Sequence, residues 1–355
     1  MNKTSITQDS LSVTMKFYAI AAIVFLVVMV YPATASQRKS VKTESVPAIV
    51  LAVEFNSHAA CAHIAQHKGL FEAEGVQIKA FDNYATGTAL AAGLVRGDVD
   101  AAYICLIPAI NVFVNGEVPI KVVAGTHKYG YALVVDPTKV HRPEDLAAPG
   151  VRISCAREGT PTDILLHKII DIWKLDEKKI IPNVRRMSPP KQLTALRAGQ
   201  IDAAFLPEQY PQMAEKSGFT VLVTAQDVWP HMQGSVLVTT DDLIQSHPEV
   251  VEKLVKITKK ATDWINAHPQ QASVIVAQKL NGLGLRIFPE KEHMLSSSFT
   301  ITPEVVNASL VKGIVCSTDI ELYDIEEAMA YLDKLGYLRR QINPEKMLDR
   351  TWLSK

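Results

Sequence analysis

Leu94-Val-Arg-Gly97-Asp-Val-Asp100-Ala-Ala-Tyr-Ile104 is answered 102 residues later by Leu196-Arg-Ala-Gly199-Gln-Ile-Asp202-Ala-Ala-Phe-Leu206. Each copy reads as the end of a helix, a glycine, an aspartate and then a short apolar run. Glycine supplies the left-handed conformation that closes a helix. An aspartate at a strand entrance accepts neighbouring backbone N–H groups, and the apolar run has the length of a buried strand. The same helix–strand unit, used twice, predicts two related lobes.

Working outward, the pattern predicts a strand over 48–53 and a helix over 58–74, capped by Ser57 and closed by Gly75. A strand over 76–80, a helix over 88–96 closed by Gly97, and strands over 101–104, 120–124 and 131–135 follow. The rhythm then repeats: strand 151–155, helices 162–173 and 191–198, strands 203–206 and 220–224. After a strand at 235–239 the chain reads as helical from 249 to 335. Alternation of this kind predicts an α/β architecture with largely parallel sheets. In such sheets a ligand lies beyond the carboxyl ends of the strands.

Composition narrows the function. Of 355 residues, 48% are hydrophobic and 21% charged, ordinary globular values. The formal net charge is zero, with no long run of one sign, so a nucleic-acid partner is not expected. Near the start, Lys16 precedes the uncharged run Phe17 to Val30, and Ala33-Thr34-Ala35 follows. A lysine, an apolar stretch of that length and small residues around a cleavage point describe a secretory signal peptide over 1–35. The run is shorter than the ~20 residues of a spanning helix. Four cysteines follow, Cys61, Cys105, Cys155 and Cys316, none in a C-x-x-C pair. They can form up to two bridges or stay as buried thiols.

The stretch His58-Ala-Ala-Cys-Ala-His-Ile-Ala-Gln-His-Lys68-Gly69-Leu-Phe71-Glu-Ala-Glu74-Gly75-Val resembles the opening of substrate-binding proteins of ABC importers. The group in question takes up taurine, aliphatic sulfonates, nitrate and thiamine precursors, and includes thiamine pyrimidine synthase-like chains. Gly97-Asp-Val-Asp100, Ile120-Lys-Val-Val-Ala-Gly125, Glu158-Gly159-Thr160, the second copy of the repeat and Tyr331-Leu-Asp-Lys-Leu-Gly336 fit in order. The resemblance spans roughly 46–353. It implies a type II periplasmic-binding-protein fold, with residues 46–133 plus 235–355 as lobe one and 134–234 as lobe two. Chain crossings near 131–136 and 232–238 would form the hinge of an interlobe cleft.

The residues after each strand are the candidate ligand contacts: Asn56, Ser57 and His58; Tyr84, Thr86, Gly87 and Thr88; Thr126 and His127; Glu158, Gly159 and Thr160; and Glu208. Helix N-termini there favour an anion, whereas Glu158 and Glu208 favour a cation or zwitterion. His58, Cys61, His63 and His67 are spread along one helix and match no closed zinc set, so no metal and no cofactor are expected. No nucleophile–base order or paired carboxylate motif is visible, so no enzyme is expected. An enzyme on the same fold is the alternative, thiamine pyrimidine synthase-like or menaquinone-pathway-like. The dense cysteine run of the former is absent here, since Ser154-Cys155-Ala156-Arg157 holds one cysteine. A ligand-sensing module that serves a receptor differs only in its partner. The reading is thus a periplasmic, monomeric protein that passes a small molecule to a permease. N-terminal sequencing of the secreted protein should begin at Ser36; a retained Met1 or Met15 would refute the cleavage.

Overall fold

The computed structural model describes residues 47–287 and 300–353. The expected signal peptide, 1–35, lies outside the described residues, as does 288–299 within the long helical stretch. The strands are β1 (Ala48–Glu54), β2 (Gln77–Tyr84), β3 (Ala101–Cys105), β4 (Ile120–Tyr129), β5 (Tyr131–Val135), β6 (Ile153–Cys155), β7 (Val184–Arg186), β8 (Ala203–Pro207), β9 (Thr220–Thr224), β10 (Gln233–Thr240) and β11 (Ile314–Cys316). They form two sheets, ordered β11-β4-β10-β3-β1-β2 and β7-β6-β8-β5-β9. The longer helices are α1 (Ala60–His67), α2 (Gly87–Arg96), α3 (Leu106–Val114), α4 (Pro161–Ile172), α5 (Pro189–Arg197), α6 (Pro248–Ala267), α7 (Pro269–Ile287) and α8 (Leu322–Lys334).

The repeated sequence is repeated geometry. β1 lies parallel to β2 and β3, and β6 lies parallel to β7 and β8. Leu51 faces Ala101 as Ile153 faces Ala203, so both members of each pair move by the same 102 residues. The two aspartates do the same work. Asp100 accepts the Val50 N–H at 2.7 Å, and its own N–H donates to the Val50 carbonyl at 3.0 Å. Asp202 accepts the Arg152 N–H at 2.9 Å and donates to the Arg152 carbonyl at 2.8 Å. Asp202 also holds the Arg152 guanidinium at 2.7 Å and the Lys139 ammonium at 2.6 Å. These bonds, the Arg152 guanidinium first, keep its carboxyl far below the usual carboxylate range.

The chain passes from the first sheet to the second within one residue, Gly130, between β4 and β5. At φ +98° it adopts a backbone that L side chains rarely reach, and an added Cβ would stand 2.6 Å from His58 Nε2. The return lies between Thr224 and Gln233. Tyr131 to Leu133, expected in lobe one, therefore sit in the second sheet, whereas Gln233 and Gly234, expected in lobe two, sit in the first.

Three local expectations also change. The helix expected over 58–74 is broken: Asn56, not Ser57, caps a short turn at Ser57–Ala59, and α1 ends before Gly69, whose φ is +64°. α3 went unread because Leu-Ile-Pro-Ala-Ile-Asn-Val-Phe-Val is apolar on nearly every side and shows no amphipathic stripe. β11 interrupts the helical C-terminal stretch as an edge strand against β4.

Replacing Asp202 by asparagine should lower the free energy of unfolding by ~1–2 kcal/mol, since both cations are partly exposed and screened. Asp100→Asn should cost less, because no ion pair is lost. A carboxyl held low in the folded state stabilises fully above its unfolded value, ~3.9, and loses that contribution as pH falls below it. Denaturant melts at pH 7 and at about pH 3 should thus show the Asp202→Asn deficit shrinking in acid; an unchanged deficit would contradict it.

Candidate functional site

Carboxyl ends of strands from both sheets border one cleft of about 870 Å³, within the usual range for small-molecule sites. From the first sheet come Glu54 to Asn56 after β1, Ala85 to Ala89 after β2, and Cys105 at the end of β3. From the second come Arg157, Thr160 to Thr162, the run Arg186 to Lys191 after β7, Pro207 and Tyr210.

Three helices begin at this cleft. α2 starts at Gly87 after Thr86, whose hydroxyl accepts the Ala89 N–H at 3.2 Å. α4 starts at Pro161 after Thr160, and α5 at Pro189 after Ser188; neither cap side chain accepts a backbone N–H of its own first turn, although the Thr160 hydroxyl meets that of Thr162 at 3.2 Å. First-turn N–H groups lack helical partners and carry the positive end of the helix dipole. Proline suits the first helical position because it has no N–H to leave unpaired. Arg157, Arg186 and Lys191 add basic groups on the same side. Arg186 is held by Asp163 at 2.6 Å and by the Ala156 carbonyl at 2.9 Å.

The floor is a bonded cluster. Glu54 accepts the Cys105 N–H at 2.7 Å on one oxygen, and the Asn56 amide and Cys105 thiol, both at 3.2 Å, on the other. The Tyr131 hydroxyl donates to Cys105 Sγ at 2.8 Å, and His58 Nδ1 lies 3.6 Å from the same sulfur. Burial pushes the Glu54 carboxyl up and the Cys105 thiol well up. Burial, with His127 nearby, pushes the His58 imidazole well down. The start of α2 approaches this floor closely: a Cβ on Gly87 would stand 2.6 Å from Glu54 Oε1.

Of the candidates read from sequence, Asn56, Thr86, Gly87, Thr88 and Thr160 line the cleft. The others do not. Ser57 and His58 lie behind the wall: Ser57 donates its N–H and hydroxyl to Gln209 Oε1, both at 3.0 Å, and His58 Nε2 donates to the Gly130 carbonyl at 3.0 Å. The Tyr84 hydroxyl packs against Gly93 of α2. Thr126 and His127 are buried along β4. Glu158 is exposed beside Arg186, 3.7 Å away, and Gly159 packs near Tyr337. Glu208 is buried and does not line the cleft; it accepts from Ser309 Oγ at 2.7 Å and Gln212 at 3.2 Å.

Sequence reading missed Glu54, Tyr131, Arg157, Tyr210 and the 186–191 run. An acid inside the apolar run 48–55 was a signal for Glu54, since such residues are rarely buried without a partner. Ser188-Pro189 was a helix-start signal for the 186–191 run.

The two sheets and the cleft at their strand ends define a periplasmic-binding-protein fold. The chain belongs to the NMT1-like family, whose model matches residues 42–280. It is similar to candidate binding proteins of Brucella abortus and Brucella melitensis, 28% identical over 130 residues. That match covers 35% of this chain and 39% of each relative, so it spans well under half of their length. Among solved structures it resembles the ligand-binding component of an ABC-type import system from Staphylococcus aureus, at TM-score 0.69 and 17% identity over 87% of this chain and 98% of that one. The alkanesulfonate-binding protein of Xanthomonas axonopodis pv. citri aligns at TM-score 0.68 and 17% identity, covering 86% and 99%. The nitrate-binding protein of Synechocystis PCC 6803 aligns at 0.67 and 13%, covering 87% and 88%. At these identities the likeness is one of fold.

Burial raises the Glu208 carboxyl to about 7. An acid whose folded value is raised above its unfolded ~4.3 stabilises fully below the lower value and loses that contribution as pH rises through the higher one. Glu208→Gln mimics the protonated acid, so it should remove this pH dependence and stabilise by ~1–3 kcal/mol at pH 8. Thermal melts from pH 4 to pH 8 check this; parallel curves for variant and wild type would count against it.

Proposed function

We propose that this protein is an extracytoplasmic solute-binding protein that captures a small organic anion and delivers it to the permease of an ABC importer. The observation that carries the reading is the meeting of three helix N-termini, from both sheets, on one cleft. Anions are stabilised at such termini by unpaired N–H groups and the dipole together. Arg157 on the rim adds a charge-assisted donor, and Pro108, Met187 and Tyr210 offer an apolar wall for a carbon body. Glu54 opposes this less than an exposed carboxylate would, because burial pushes its carboxyl up from the usual range.

Transport also suits the chain path. Among the described residues two crossings join the sheets, one of them the single residue Gly130, and ligand held by both sides stabilises the closed arrangement. Capture and release need no bond chemistry, so no catalytic role is assigned to the cleft. The expected family of ligands comprises carboxylates, sulfonates and similar monoanions with a modest apolar body.

Native mass spectrometry of protein purified without refolding should reveal a co-purified small anion. Calorimetric titration with that anion should then show Arg157→Ala weakening binding ~10–100-fold, the value of one charge-assisted hydrogen bond. A cationic ligand, or an affinity that Arg157→Ala leaves unchanged or improves, would overturn the anion reading.

A further inference from the structure

We infer that Glu54, His58 and Cys105 form a binding site for a transition-metal dication of the zinc class, set in the floor of the cleft with one position open toward it. This holds whatever the charge of the solute, and it departs from the sequence expectation that the chain binds no metal. The three side chains come from the end of β1, the turn after it and the end of β3, and all are buried. One ligand atom from each lies within 4.8 Å of the others. Cys105 Sγ stands 3.6 Å from His58 Nδ1 and 3.2 Å from Glu54 Oε2. Zinc bonded to sulfur at about 2.3 Å and to nitrogen or oxygen at about 2.0 Å sets tetrahedral edges of about 3.3–3.6 Å. The two spacings to sulfur lie close to that frame, and the remaining nitrogen–oxygen pair lies within 4.8 Å.

The surrounding bonds hold each group in ligand form. The Gly130 carbonyl can only accept, so His58 carries its proton on Nε2, 3.0 Å away. The Nδ1 lone pair is thereby left facing the sulfur. A ligating histidine that donates its other N–H to a backbone carbonyl is the usual second-sphere arrangement. Glu54 Oε1 is fixed by the Cys105 N–H at 2.7 Å, and Oε2, which also accepts the Asn56 amide at 3.2 Å, faces the sulfur. Tyr131 at 2.8 Å and Ser235 at 3.5 Å donate to Cys105 Sγ and would stabilise the thiolate once the metal displaces the proton that the thiol gives to Glu54.

Charge and access agree with the geometry. A carboxylate and a thiolate balance a dication, and a neutral complex suits a buried place. Imidazole and thiolate together favour zinc-like ions over magnesium or calcium. Three protein ligands leave a fourth position, the arrangement of open zinc sites. Glu54, Cys105 and Tyr131 all border the cleft, so that position is reached from the solute side. The helix-face set weighed from sequence is different: Cys61 and His63 are buried elsewhere, and only His58 is shared.

The test uses the whole secreted chain, stripped with a chelator and reloaded with zinc or cobalt. Elemental analysis after dialysis should give one zinc per chain. The cobalt form should show a thiolate-to-cobalt charge-transfer band and tetrahedral visible bands. Cys105→Ser should abolish the charge-transfer band and weaken zinc binding at least ~100-fold, since loss of a second-sphere partner alone costs ~10–100-fold. Cys61→Ser should leave both intact. If Cys105→Ser fails to fold, Glu54→Gln, which keeps an accepting oxygen, must still weaken zinc by about that factor. A wild type with no charge-transfer band overturns the site, as does a band that survives Cys105→Ser or vanishes in Cys61→Ser.

Discussion

A parallel strand pair leaves the first residues of each strand without complete partners, and here one aspartate per sheet supplies them. Asp100 clasps the backbone of Val50, and Asp202 clasps that of Arg152. Register follows at once, because each clasp leads directly into the pairings Leu51 with Ala101 and Ile153 with Ala203. Once register is set, so is the place where every strand stops. β1 and β3 run out together, which sets Glu54 against Cys105. β6 and β7 run out together, and Arg186 comes to lie over the carbonyl of Ala156. The cleft is thus built from strand ends whose heights were decided at the opposite edge of each sheet.

That chain of causes explains what could be read in the sequence. The repeat, the parallel alternation and the strands at 131–135 and 220–224 were visible because each depends on local pattern, glycine caps and short apolar runs. α3 was not, because a helix buried on most sides shows the same continuous apolar run as a strand. β7, at three residues, has too short a pattern to read. Within the site, positions that open a helix were legible: Thr86, Gly87, Thr88 and Thr160 follow from capping rules. Side chains whose direction depends on a distant partner were not. Glu208 follows β8 where a cleft residue belongs, yet it does not line the cleft and its carboxyl is held by Ser309, 101 residues away.

The electrostatic layout separates two tasks. Positive potential comes from helix ends and from Arg157, Arg186 and Lys191, mostly from the second sheet, and is already in place before any solute arrives. The first sheet contributes instead a packed hydrogen-bonding set, Glu54, His58 and Cys105, which Tyr131 joins from the start of the second. Fixed dipoles on one wall and adaptable donors on the other allow tight orientation without reorganising either sheet. Gly87 matters to both, since its missing side chain lets a helix N-terminus descend onto the Glu54 carboxyl.

The position of β10 in the first sheet has a consequence for how the chain assembles. Val238 pairs with Ala102 on one side and with Val122 on the other, so β10 is an interior strand. Every strand of the second sheet, from Tyr131 to Thr224, precedes it in the chain. A polypeptide that emerges N-terminus first therefore completes its second sheet while the first still has an open seam between β3 and β4. Segments tend to fold as units once their own residues are available, and the second sheet is the unit that becomes available whole. The opening residues must wait, half-paired, for a strand that arrives only with residue 240; the order of synthesis and the order of completion run opposite ways.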